Sequence, residues 1–242
     1  MNKKVIVGVI ALFLGISLSA SSTNDKKIME QASNIEFVKN AGFVLKDVKD
    51  LGQLYVFNAT HPRSPKLTLF VSKDLSTVVI GNGFSEKGEA IEFPVDVVKY
   101  KKDIAYTIGN GNEEYYLFTD PECPYCQKFE EMSVNLKDGI KIHVFLFPLD
   151  FHKNAISMSK YILSQKTNAD KGKAMRDIAN HNENYKNAKY TDDENKKYDE
   201  IIKKHFQIAQ ELGVGGTPSV FDAKGKPVQW PSLIKQPLAP KN

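Results

Sequence analysis

Residues 118–132 read FTDPECPYCQKFEEM and carry the only two cysteines of the 242-residue chain, Cys123 and Cys126. Just upstream, YYLF (115–118) has the apolar, aromatic character of a buried strand. Downstream, the pattern predicts a helix to about Leu136. A strand that turns directly into a helix puts Cys123 at the helix N-terminus. Pro124 suits the first turn, where a backbone N–H would lack an intrahelical partner in any case. Free N–H groups and the positive end of the helix dipole then face the Cys123 sulfur and favour its thiolate. Moving a thiol from about pKa 8.5 to about 6 corresponds to roughly 3.4 kcal/mol. That preference stabilises the dithiol and makes the disulfide a better oxidant. Cys126, one helical turn on, is within reach to close the ring and should be the more buried of the two. The pair therefore reads as a nucleophile, Cys123, and a resolving thiol, Cys126.

Three other readings compete. A structural disulfide closing so short a loop would constrain the unfolded chain little. Zinc needs four ligands, and one cysteine pair supplies two; His143, His152 and His181 show no ligand spacing, although a dimer could join two half-sites. Chance placement of inert thiols is the third. Redox chemistry is the leading reading, with no cofactor and no metal expected.

A second stretch adds context. LGVGGTPSVF (212–221) sets a proline after Gly-Gly-Thr, directly before a predicted strand. X-Pro is the bond at which a cis peptide costs little.

Outward from these motifs, the chain divides. A helical pattern runs from Asn24 to about Asn40, with Ile28, Ala32, Ile35 and Val38 near 3.6-residue spacing. Strand-like runs follow at FVLKDV, QLYVFNA, KLTLFVS and STVVIGN (43–48, 53–59, 66–72, 76–82). A unit this small has difficulty burying enough surface alone, so a second copy would be a natural remedy. Residues 94–112 read as a part-helical linker, with Val97, Val98, Ile104 and Ile108 forming a loose stripe. Beyond the cysteines, strands are expected at 140–147 and 219–228, and helices at 154–165, 172–181 and 194–212, the last stopped by Gly213.

Residues 24–242 resemble the periplasmic disulfide-bond isomerases of the DsbC/DsbG type. The resemblance rests on FTDPECPYCQKF (118–129), FLFPLDFHKNAISMSKYIL (145–163) and LGVGGTPSVFDAKGKPV (212–228), and less specifically on LFVSKDLSTVVIGN (69–82). Cys-Pro-Tyr-Cys is the spelling of the DsbG branch. The resemblance implies an α+β chain: a small α+β dimerisation domain (24–93), a linker (94–112) and a thioredoxin-like α/β catalytic domain with a helical insertion (113–242). It also implies a homodimer whose cleft receives misfolded or disulfide-containing exported proteins, and a membrane reductase of the DsbD type as electron donor. Pro124, Tyr125, Thr217 and a cis Pro218 would line the substrate groove, with the Thr217 backbone pairing with a substrate strand. The alternatives within this reading are a DsbA-like dithiol oxidase, a reductase of sulfenic acids, and a non-redox periplasmic chaperone. Two family features are absent: a second cysteine pair, and a buried acid six residues before the first cysteine, where this chain has Leu117.

The remaining features bound the setting. MNKKVIVGVIALFLGISLSASSTND opens with two lysines, an uncharged run from Val5 to Leu18 and then small residues. This is the pattern of a secretory leader, residues 1–20, removed near residues 19–22, and the run is short for a spanning helix. Export would place both thiols in an oxidising compartment, the periplasm. The formal charge is +4, with Lys3 and Lys4 inside the expected leader, and no basic stripe interleaves with aromatics. Nucleic acid is therefore not an expected partner. Trp230 reads as a packing residue.

Overall fold

The structure, a computed structural model, describes residues 23–88 and 90–235. The expected leader, its cleavage site and the end of the proline-containing tail lie outside the described residues. The described residues are α+β and form two separate sheets.

Helix α1 (Thr23–Ser33) and the short α2 (Glu36–Asn40) precede a four-stranded antiparallel meander, β1 (Val44–Asp50), β2 (Leu54–His61), β3 (Ser64–Ser72) and β4 (Val78–Ile80). The expected single helix is thus broken at residues 34–35. Side chains of Ser33 and Asn34 bond back to the carbonyls of Met29 and Glu30, the local competition with the helix ladder that Ser and Asn offer. Strand alternation sorts the apolar residues. Phe57, Ala59, Leu69 and Val71 pack with Ala32 and Val38 on the helical side, while Val56 and Phe70 meet Phe93 on the other.

The second sheet has the order β5-β7-β6-β8-β9, formed by β5 (Tyr106–Gly109), β6 (Glu113–Thr119), β7 (Ile140–Leu146), β8 (Ser219–Asp222) and β9 (Pro227–Val228). β6 and β7 are parallel; the other pairings are antiparallel. Residues 94–112, expected as a part-helical linker, hold a 3-10 turn at Val98–Asp103 and, beyond that expectation, strand β5, which pairs with β7. The apolar residues of this segment go to different places. Val97 is buried below the sheet, Val98 is exposed and Ile108 packs on the opposite core.

Helices cover both faces. α3 (Pro124–Met132), α4 (Ala155–Leu163) and α5 (Asn168–Ala179) bury Cys126, Phe129, Ile162 and Met175 against Leu117, Ile142, Val144 and Leu146. On the far face, Tyr116, Phe118, Phe145 and Phe221 meet the end of the long α6 (Asp192–Leu212) through Ile208, Ala209 and Leu212. α6 starts with a capping box between Thr191 and Glu194 and ends at Gly213, whose φ of +69° is a left-handed value. A β-carbon on Gly213 would overlap the Lys66 side chain of β3. Within the second part, the Val95 N–H donates to the Gly225 carbonyl and ties the 94–97 segment to the β8–β9 turn. Among the described residues no helix is long and apolar enough to cross a membrane.

Candidate active site

The site lies where β6 runs into α3. Cys123 is the N-cap of α3 with extended φ and ψ, and Pro124 follows at the first helical position, as the turn chemistry requires. Both cysteines are free thiols. Cys126 is fully buried on the inner face of α3, and Cys123 is 5% exposed. Pro124 and Tyr125 are exposed beside them. The Thr217–Pro218 bond is cis, and the Cys123 thiol lies 3.5 Å from the Thr217 carbonyl oxygen. Every residue singled out for the site in the sequence, Cys123, Pro124, Tyr125, Cys126, Thr217 and Pro218, is therefore gathered at one place.

The two thiols are held in opposite states. The Cys123 thiol is lowered to about 5, first by the hydrogen bond from the Cys126 thiol and then by the Cys126 and Tyr125 backbone N–H groups and Thr217, against burial, which raises it. The Thr217 hydroxyl is buried without another hydrogen-bond partner, so it is free to turn its O–H toward a Cys123 thiolate. Burial pushes the Cys126 thiol well up, although the Asp120 backbone N–H points at its sulfur from 3.4 Å. The arrangement is a low-pKa sulfur facing the Thr217 carbonyl beside a sulfur whose burial keeps it protonated.

Three features around the pair were not found by sequence reasoning. Asp120 is fully buried and accepts from the Leu149 N–H at 2.6 Å, the Glu122 N–H at 2.8 Å and His152 Nδ1 at 2.8 Å. Burial alone would lower His152, but the Asp120 hydrogen bond and charge, with smaller help from Cys123 and Glu122, raise it. Glu122 in turn accepts from both nitrogens of Asn154, which precedes α4. The two carboxylates thus fasten the cysteine turn to the loop at 147–154, which presents an exposed Phe151. The third feature is Glu130, a fully buried carboxyl one turn beyond Cys126. The nearest signals in the sequence were the acids flanking the cysteines; their partners lie some 30 residues away and no spacing rule exposes them. Trp230 packs edge-on against Phe129 of α3, with ring centroids 5.8 Å apart. Among the described residues, no three His, Cys, Asp or Glu side chains converge as a metal site would need.

The thioredoxin-like domain family matches residues 100–237, and the chain belongs to it. Its close cysteine pair at a strand-to-helix turn is a redox-capable dithiol of the CxxC type. Among solved structures, the chain is similar to DsbG from Helicobacter pylori at 18% identity and a TM-score of 0.40, over 79% of this chain and 98% of that one. It is also similar to the thiol-disulfide exchange protein alpha-DsbA2 from Wolbachia pipientis (17%, TM-score 0.44, 57% and 90%). A third is the catalytic domain of Proteus mirabilis ScsC (18%, TM-score 0.40, 59% and 94%). No curated protein matches the chain.

Proposed function

We propose that the protein is a thiol–disulfide oxidoreductase that acts as a disulfide isomerase and reductase on exported proteins, with Cys123 as nucleophile and Cys126 as resolving thiol. The observation that carries this reading is the Cys123 thiol, lowered to about 5 at the N-terminus of α3 and facing the Thr217 carbonyl. At neutral pH this sulfur is a thiolate, the species that attacks disulfides.

The Cys123 thiolate attacks one sulfur of a substrate disulfide. A Cys123–substrate bond forms, and the other substrate sulfur leaves with the electron pair and takes a proton from solvent. In isomerisation, a different substrate thiolate then attacks the mixed disulfide at the substrate sulfur, and Cys123 leaves as a thiolate with no net change of oxidation. In reduction, Cys126 loses its proton and attacks Cys123 Sγ. The intramolecular disulfide forms, and the substrate departs with two thiols and two electrons. The protein must then be reduced again, a role we assign to a membrane reductase of the DsbD type. Pro124, the exposed Tyr125, Thr217 and Pro218 form the substrate groove in this scheme, and export to the periplasm supplies the substrates. Residues 24–93 would serve to pair two copies. The short edge strand β4, which exposes Val79 and Ile80, supports that part of the proposal.

A dithiol oxidase is favoured by the same observation, because a low thiol pKa also makes the disulfide more oxidising. Refolding of a scrambled multi-disulfide protein, with catalytic thiol present, separates the two. Recovery of native pairing by the wild type and by Cys126→Ser, but not by Cys123→Ser, is expected. Rapid oxidation of a reduced substrate without any reshuffling would replace the isomerase reading by the oxidase one.

A further inference from the structure

At the start of edge strand β5, a cleft of about 420 Å³ lies between the 3-10 turn at Val98–Asp103, the first turns of α5 and the middle of α6. Its size is that of a small-molecule site, and none of the residues gathered at the dithiol borders it. Lys102 from the turn, Lys171 from α5, and Lys197 and Lys204 from α6 converge on this space. The two α6 lysines are seven residues apart and share one helical face.

These lysines are not neutralised by the protein. None of the four forms an ion pair among the described residues, whereas lysines elsewhere in the chain do. Asp103 and Glu200 also line the cleft, so four ammonium groups stand against two carboxylates. His205 adds no charge: burial lowers it, and its two ring nitrogens face the main chains of Leu146 and Asp103.

Lys171 is the informative member. A lysine ordinarily extends its stem and leaves the ammonium in water. Lys171 is half-buried, and its Nζ is held 3.0 Å from the Ala105 carbonyl oxygen. Burial and then the charge of Lys197 lower it, and no acid opposes them. A charge withdrawn from water without a counter-ion is costly. Low-dielectric walls also focus the field of neighbouring cations on the space between them. An anion in the cleft relieves both. Behind the ammonium groups the wall is apolar, formed by Ile104, Leu163 and Ile201. An inorganic ion would leave that wall wet, while an anion carrying a hydrocarbon body covers it.

We propose that this cleft binds a small organic anion with an apolar body, its acidic group held by Lys171 and Lys197 and its hydrocarbon part laid on Ile104, Leu163 and Ile201. The site is additional to the thiol–disulfide reading and does not depend on it.

Octanoate, octanol and acetate, titrated into the nitrogen-15-labelled protein, test the two halves of the site separately. The amide resonances of Ile104, Ala105, Leu163 and Ile201 should shift saturably with octanoate. Octanol lacks the charge and acetate lacks the hydrocarbon, so each should bind more weakly by on the order of 10-fold. Lys171→Gln should weaken octanoate to a similar extent. So should Lys197→Gln combined with Lys204→Gln, both at exposed helical positions where substitution leaves the fold intact. Added salt should weaken octanoate and leave octanol unaffected. Octanol binding as tightly as octanoate, or octanoate binding undiminished in the lysine variants, would reduce the cleft to an apolar crevice and overturn the proposal. Saturation confined to exposed apolar residues elsewhere, such as Val79 and Ile80, overturns it as well. The same holds if no saturable shift occurs below about 10 mM.

Discussion

Replacing Cys126 with alanine should make Cys123 a markedly weaker acid, whereas replacing it with serine should not. The largest influence lowering Cys123 to about 5 is the hydrogen bond donated by the Cys126 thiol; backbone N–H groups and Thr217 follow. A hydrogen bond to a charged acceptor contributes about 1.5–3 kcal/mol. At 1.36 kcal/mol per pH unit this corresponds to about 1–2 units. The Cys126→Ala midpoint should therefore lie near ~6–7. At pH 6 the thiolate fraction would fall from about nine-tenths to between about one-half and one-tenth. Serine retains an O–H donor at the same position, so Cys126→Ser should titrate within about half a unit of the wild type. The assay is thiolate absorbance at 240 nm against pH, checked by the pH dependence of alkylation by iodoacetamide. If alanine and serine variants both titrate near 5, the resolving thiol is not what holds Cys123 ionised, and the helix-terminal N–H groups and Thr217 are responsible.

Redox state should couple to stability in a defined direction. Cys123 is depressed in the folded dithiol, so its stabilisation is full above the ordinary thiol value of 9.0 and is lost as pH falls toward about 5. The excess of dithiol over disulfide melting temperature should shrink across that window; an excess independent of pH would contradict the assignment. Asp120→Asn should drop the His152 midpoint, followed by ring-proton NMR, because burial would then act without the opposing carboxylate. An unchanged midpoint would show that another group holds the proton. Phe129→Ala removes the fully buried ring between α3 and Trp230 and should cost about 3–5 kcal/mol in denaturant unfolding. A loss below about 1 kcal/mol would mean that the site collapses around the vacancy.

What could be read from the sequence follows the range of the interactions involved. Cys123-Pro-Tyr-Cys126 and Thr217-Pro218 are local spellings with local meaning, and each sits where its own backbone preferences put it. The same holds for α6, whose capping box at Thr191 and stop at Gly213 bracket a periodic apolar face. β5 was missed because four residues are too few to show a period of two, and the valines and isoleucines around it mimic a helical stripe. They are spread over two different cores in the fold. The Asp120–His152 and Glu122–Asn154 contacts join residues 32 apart. Glu130 reads in sequence as one more acid on a polar helix, beside Glu131. Only the packing of α3 against β5 and α5 distinguishes the enclosed carboxyl from its solvated neighbour.

The cap of α6 links two jobs at a single atom position. Gly213 ends the longest helix with a left-handed turn, and over the hydrogen that stands in place of its side chain lies Lys66 of the other sheet. Adding one methyl group there would ask the helix to end in a strained conformation and the lysine to move aside. The stop signal of a helix in the redox half is thereby also the seat on which the N-terminal half rests, and a change that appears confined to secondary structure would tilt one sheet against the other.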